Sequence, residues 1–288
     1  MPKFVAQTHP FMLTPGQYYT LTVSRNTDFG QYLLDDDGDE ILLPNRYVTP
    51  EIQPGDPIEV FVYTDSEDRP VATTEKPFLL AGEAACLEAV DKTFHGAFFC
   101  WGISAKDLFL PVRNQIGRID VGHKYVVYMY VDQISNRLTA TTKLNPFIRN
   151  DEITVQPGDE VNILVALKNP LGYRVIINNR HWGMIYDNQI FTRVEIGDKL
   201  KGYIARITED DRIDVSLQKQ GFDEVKDAAG KLLELLQKNG GSLPLGDKSD
   251  PEEVRRLTHM SKKVFKRAVG TLLKQGKIEI DDTRIILK

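Results

Sequence analysis

The chain is poor in cysteine. Cys86 and Cys100 are the only two among 288 residues, too few for a disulfide framework and without a CxxC pair. That scarcity fits a reducing cytoplasmic setting. Both thiols fall in expected strands, so burial and inertness are expected of them. No apolar run approaches the ~18 residues of a membrane span, so no membrane partner is expected. Met1 to Pro10 lacks a basic stretch followed by an apolar core, so no secretory signal is expected either. The motifs of common catalytic chemistries are also missing. There is no HExxH, GxSxG, P-loop or GxGxxG. The five histidines, His9, His95, His123, His181 and His259, lack metal-ligand spacing. We therefore expect no enzyme activity, no metal, no cofactor and no small-molecule substrate.

Excess basic charge, the usual footprint of a nucleic-acid binder, is lacking in the total: the net charge is −5. Its distribution is uneven. Residues 222–288 hold 14 Lys+Arg against 11 Asp+Glu, whereas the rest of the chain holds 22 against 30. Any electrostatic footprint is therefore local and C-terminal. The acidic run Asp35-Asp36-Asp37-Gly38-Asp39-Glu40 reads as a solvated turn, because it lacks the spaced ligands of a calcium loop.

What the sequence does have is a threefold repeat. Gly16, Gly82 and Gly158 each open a stretch of alternating apolar residues, and a second glycine follows 14 residues later at Gly30, Gly96 and Gly172. A third follows at Gly55, Gly122 and Gly197, then an arginine at Arg69, Arg137 and Arg212. In the third copy Val161, Ile163, Val165 and Leu167 alternate with other residues, the period of a strand. Tyr203–Ile207 and Ile213–Leu217 flank an acidic turn, and Asn-Pro and Asn-Asn steps punctuate the rest. About five short strands in so small a unit leave unpaired edges unless the sheet closes, which points to the five-stranded OB-fold barrel. The second glycines mark the sharp bends that closure needs.

From Val225 the periodicity turns helical through Ala228, Ala229, Leu232, Leu233, Leu235 and Leu236, ending at Asn239-Gly240-Gly241. Ser249 or Asp250 caps a second helix with Pro251 at its first position, and Ser261 caps a third, Lys262 to Gln275. Ile278–Ile280 and Arg284–Leu287 flank a turn and form a hairpin. With the short extended piece Leu243-Pro244-Leu245 after the first helix, this order resembles the winged-helix fold. On the third helix Val264, Phe265, Ala268, Val269, Leu272 and Leu273 share one face, and Lys262, Lys263, Lys266, Arg267, Lys274 and Lys277 share the other. No acid lies between Lys262 and Lys277. Such a helix enters a groove in helix-turn-helix proteins, and lysine-dominated contacts neutralise phosphates more than they read bases.

The fold class is thus multidomain and mainly β. Three tandem OB-fold barrels are expected at residues 1–76, 77–144 and 145–221, followed by a winged-helix domain at 222–288. Phe29-Gly30, the Gly-Asp pairs and Arg212-Ile213-Asp214-Val215-Ser216 resemble the RNA-binding S1 domain, named for the large ribosomal protein that repeats it. That resemblance implies an RNA face made by Phe29, Tyr32, Asp65 and Arg69 in the first unit. It implies His95, Phe98, Asp132 and Arg137 in the second, and Leu171, Arg174, Thr208 and Arg212 in the third. At the family's strand-three histidine stand Pro44, Pro111 and Tyr186. The whole arrangement resembles the conserved virulence factor B family, which implies an RNA-binding regulator of gene expression.

Aromatic rings stack on unpaired bases and arginines pair with phosphates, but aromatics also build cores. Tyr173, Trp182 and Tyr186 cluster with Arg174 and Arg206 in the third unit, and these with Arg212 and the helix residues Lys262, Lys263, Lys266, Arg267 and Lys274 form the main candidate RNA site. Phe29, Tyr32, Arg69, Phe98 and Arg137 form a lesser one. Three readings stay open: a single-stranded RNA binder, a DNA-binding regulator acting through the winged helix, and a protein-interaction scaffold.

Overall fold

The computed structural model describes residues 13–218 and 222–288. The expectations for Met1 to Pro10, the 221/222 boundary and the Val225 side chain lie outside the described residues. The chain divides into two compact units, residues 1–147 and 148–288.

The first unit opens with β1 (Tyr18–Thr27), β2 (Gly30–Leu34), β3 (Glu40–Pro44), β4 (Pro57–Thr64) and β5 (Pro70–Thr73). They close into a barrel in the order β1-β2-β3-β5-β4. Closure comes from a single parallel step, Leu42 against Val71. There follow β6 (Ala84–Lys92), β7 (Gly96–Cys100), β8 (Leu108–Pro111), β9 (Lys124–Val131) and β10 (Leu138–Thr141). Their order is β10-β9-β6-β7-β8, with no hydrogen-bonded pairing between β8 and β10 among the described residues. The second sheet thus keeps the strand order of the first with β8 lying beside β10, and the expected succession of five-stranded OB-fold units holds. Sheets one and two share one core, in which Phe61, Tyr63 and Val71 pack with Leu79, Phe99 and Trp101.

The second unit begins with β11 (Glu160–Asn169), β12 (Gly172–Ile177), β13 (His181–Tyr186), β14 (Lys199–Ile207) and β15 (Ile213–Ser216), which close into another barrel. Here the parallel step is two residues long, Gly183 on Ile213 and Met184 on Asp214. Buried His181 ties the preceding segment to this barrel. Its Nε2 accepts from the Thr154 amide at 3.2 Å, so Nδ1 carries the proton and donates to the Arg149 carbonyl at 2.8 Å.

The repeat has a backbone signature. The amides of Gly55, Gly122 and Gly197 donate to the carbonyls of Val23, Ala89 and Val165, each at 2.8 Å. Each acceptor sits at a β-bulge of its first strand, where the added twist helps a sheet curl into a barrel. The bend glycines are needed for closure. A Cβ on Gly30 or Gly172 would lie 2.0 Å from the carbonyl oxygen of Leu43 or Ile185.

The winged helix comprises α1 (Phe222–Lys238), β16 (Ser242–Leu243), α2 (Pro251–Thr258), α3 (Lys262–Lys274), β17 (Ile278–Ile280) and β18 (Ile285–Leu287). The Asp250 side chain caps α2 by accepting from the Glu252 amide, and Ser261 caps α3 by accepting from the Val264 amide. Leu232 and Leu236 of α1 meet Phe265, Ala268 and Leu272 of α3 in a core closed by Ile278 and Ile285.

Two smaller expectations meet the structure differently. Cys100 is exposed and Cys86 half-buried, because alternation on β7 gives the inward positions to Ala97 and Phe99. The acidic run is a turn, as expected: Asp35 Oδ1 accepts from the amides of Asp37 and Asp39 at 3.0 and 2.8 Å.

Candidate nucleic-acid interface

Strand pairing in the third barrel lays four residues in one row across its outer surface. Arg174 on β12 faces Met184 on β13, Met184 faces Asp214 on β15, and Asp214 faces Arg206 on β14. Trp182 and Tyr186 lie two residues either side of Met184 and so share this surface. Arg206 reaches it only through a bulge between Ile204 and Arg206. Strict alternation from the inward Ile204 would have turned it into the core.

The row is wired through Asp214. Its Oδ1 accepts from the Tyr186 hydroxyl at 3.2 Å, and its Oδ2 accepts from Arg206 Nε and Nη2 at 3.0 and 2.6 Å. Partial burial raises the Tyr186 pKa, and the Asp214 carboxylate raises it further. The hydrogen bond from Arg206 to Asp214 raises the pKa of Arg206. Most of the Arg206 side chain stays in solvent, 67% of it, so the bond aims the guanidinium without hiding it. Asp214 is the member of the site that sequence reasoning missed. Its only signal was the Asp214-Val215-Ser216 step.

Arg174 is bound differently. Its guanidinium carbon lies 3.8 Å from the centroid of the Trp182 ring, a cation–π distance. It makes no hydrogen bond or ion pair among the described residues, and partial burial pushes its pKa down. Beneath it Trp182 is only 8% exposed, and its Nε1 has no hydrogen-bond partner among the described residues. Tyr173 stands apart from this surface. It packs against the barrel core and its hydroxyl donates to the Val194 carbonyl at 2.9 Å. Arg212 lies at the β14–β15 turn, paired with Asp210 at 2.8 Å.

The first barrel spends the same surface on packing. Its matching row is Tyr32, Leu42, Val71 and Tyr63, and Val71 and Tyr63 are buried in the core shared with sheet two. Tyr32 carries Arg25 at 4.0 Å, and Arg25 is held in turn by Glu40. Arg69 is clamped by Asp65 at 2.7 Å and Glu67 at 3.0 Å. Phe29, at the β1–β2 tip, is 76% exposed.

In sheet two, Phe98 faces Phe109, with ring centroids 5.0 Å apart. They line a cleft of about 930 Å³ with Tyr63, Trp101, Arg113 and Arg137. Arg137 is paired with Asp68 of the first barrel. Phe109 was not singled out in the sequence because it reads there as one more core residue.

On α3, Lys263, Lys266, Arg267 and Lys274 are exposed and Lys262 is half-buried, while Phe265, Ala268, Val269 and Leu272 are buried. The helix itself has no acid, yet Asp247 from the preceding loop pairs with Lys266 at 2.9 Å. The hydrogen bond from Lys266 holds the Asp247 carboxyl below the usual carboxylate range.

Comparison with known proteins agrees with this architecture. A family model described as an S1 domain matches residues 15–75, and one described as a CvfB-like winged helix domain matches residues 230–287. The uncharacterized protein YitL of Bacillus subtilis is 30% identical over 273 residues, spanning 92% of this chain and 91% of that protein. Conserved virulence factor B of Staphylococcus saprophyticus is 23% identical over 267 residues, spanning 87% and 86%. The chain belongs to the conserved virulence factor B family. A solved structure from Streptococcus pneumoniae, described as a multidomain protein with nucleic acid binding domains, is 20% identical with a TM-score of 0.43. It covers 96% of this chain and 99% of its own. In this member of the family, the surface that barrel one buries is left open and cationic on barrel three.

Proposed function

We propose that this protein binds single-stranded RNA through the outer face of barrel three and the basic face of α3, and that it acts as a regulator of gene expression. The observation that carries the reading is Arg174. A partly buried guanidinium with no carboxylate has lost hydration without gaining a counter-charge. A phosphate oxygen supplies that charge in the bidentate geometry that arginine favours. Trp182 lies under Arg174 as a flat apolar platform, so a base can stack where the guanidinium now rests. Arg206, aimed by Asp214, supplies a second cation on the same face. Lys263, Arg267 and Lys274 form no ion pair among the described residues, Lys262 feels Asp247 only at longer range, and a chain of phosphates suits them.

Single-stranded RNA fits this surface better than duplex. A strand row offers stacking to splayed bases, which a duplex keeps paired and stacked. The two tryptophans make the test direct. Trp101 is 2% exposed, lies at the cleft of sheet two and donates Nε1 to the Lys106 carbonyl. In a fluorescence titration with a single-stranded RNA oligonucleotide, comparison of the wild type with Trp182→Phe isolates the Trp182 signal. The expected result is quenching that Trp182→Phe abolishes, with affinity weakened roughly tenfold by Arg174→Ala. RNA binding with no change in Trp182 emission, or no binding at all, would contradict this placement.

A further inference from the structure

Gly270 occupies the middle of α3, eight residues in from Lys262 and four before Lys274. At 100° per residue it lies about 80° round from Lys262, near the centre of the basic arc. Lys266 and Arg267 stand one turn before it and Lys274, beside the exposed Leu273, one turn after, so cations flank it on both sides.

A glycine inside a helix is costly, because it gains more freedom than alanine on unfolding. Such a residue calls for a local reason, and the fold supplies none here. Gly270 does not adopt a left-handed backbone conformation, and a Cβ built on it would meet nothing within 4 Å. Gly246 shows the contrast: its Cβ would fall 2.1 Å from the Asp282 backbone. Space is kept open at Gly270 although no part of the described chain fills it.

We infer that Gly270 is a close-approach point, where the sugar–phosphate backbone of a bound strand lies directly against the backbone of α3 between the flanking cations. This rests on the nucleic-acid reading above and goes beyond it, since charge alone does not require a bare helix surface. A polyanion is the occupant that the surroundings favour, because three of the four positions one turn away are Lys266, Arg267 and Lys274, the fourth being the exposed Leu273. A strand lying there is read through its backbone, independently of base sequence.

The molecule contains its own control. Gly230 on α1 is exposed where Gly270 is half-buried, and its Cβ would likewise meet nothing within 4 Å. Gly230→Ala and Gly270→Ala should each raise the melting midpoint of the full-length protein, by about 2–4 °C. Fluorescence anisotropy with a labelled single-stranded RNA oligonucleotide then separates them. Gly270→Ala is expected to weaken binding roughly tenfold with the salt slope unchanged, because a methyl group intrudes and no charge is lost. Gly230→Ala is expected to bind like the wild type, and Lys263→Glu to weaken binding with a shallower salt slope. If Gly270→Ala binds as tightly as the wild type while Lys263→Glu does not, the close approach is wrong and the basic-helix contact stands. A lowered melting midpoint for Gly270→Ala would likewise overturn it, since the site would not be open. If the wild type itself binds no RNA, the proposed function fails and this inference falls with it.

Discussion

Asp247, in the loop ahead of α2, holds the ammonium of Lys266 on α3 at 2.9 Å. The helix that reads as free of acid in sequence is thus partly neutralised in space. Releasing Lys266 should strengthen binding to a polyanion. Asp247→Asn is expected to raise RNA affinity a few-fold at low salt and to steepen the dependence of log K on log salt by about 0.7, one phosphate's worth for a single strand. Anisotropy across a salt series measures both; an unchanged slope would mean Lys266 faces no phosphate.

The bend glycine of barrel three sets a sharper structural expectation. At Gly172, with φ of +150°, any Cβ meets the Ile185 carbonyl oxygen at 2.0 Å. Gly172→Ala should cost about 3 kcal/mol or more, combining backbone strain with a forced shift of β13. Gly158, with φ of +97° but nothing within 4 Å, should cost only about 1–2 kcal/mol as alanine. Thermal denaturation of the two variants checks the ordering.

The arginines that recur in sequence should not be equal in binding. Arg69 is clamped by Asp65 and Glu67, and its barrel has buried the rest of the face. Arg69→Ala is therefore expected to change RNA affinity less than about twofold, the scale of an exposed ion pair. Arg174→Ala is expected to cost several times more. Equal losses in parallel titrations would contradict the assignment of the site to barrel three.

The wing carries a titration of known sign. Asp281 accepts from the Thr283 amide and hydroxyl and from the Arg284 amide, which pull its pKa down to about 2. A carboxylate whose pKa is lower folded than unfolded contributes stability that is present above its ordinary value near 4. That contribution is lost as the pH falls through about 2. The protection of the Thr283 and Arg284 amides, taken relative to their intrinsic exchange rates, should fall over this window, and Asp281→Asn should remove the dependence.

Much of this architecture is legible in the sequence because each barrel must solve the same closure problem with the same residues. Gly30, Gly96 and Gly172 announce the bend, and Asp250-Pro251 and Ser261 announce two helices. The composition of the candidate site is partly legible too: Arg174, Trp182, Tyr186 and Arg206 share one face. What period-two reasoning cannot supply is register. The bulge at Ile204/Arg206 decides that Arg206 points outward, and the parallel step of Met184 on Asp214 decides which carboxylate aims it. Tyr173, one residue from Arg174, falls on the core side for the same alternation reason. Long-range pairings such as Asp247 with Lys266 leave no local pattern, and the fate of Val71 and Tyr63 depends on a neighbouring sheet.

The central claim is that barrel three and α3 together hold one unpaired RNA strand by its phosphates. Competition anisotropy tests it most directly, with labelled single-stranded RNA bound to the full-length protein and unlabelled duplex DNA of matched length as competitor, repeated with Arg174→Ala and Lys263→Glu. The account predicts that single-stranded RNA is preferred, that both substitutions weaken binding, and that only Lys263→Glu reverses a charge on the helix and flattens the salt slope most. Preference for duplex DNA with no effect of Arg174→Ala would contradict it and leave the winged helix as a DNA reader.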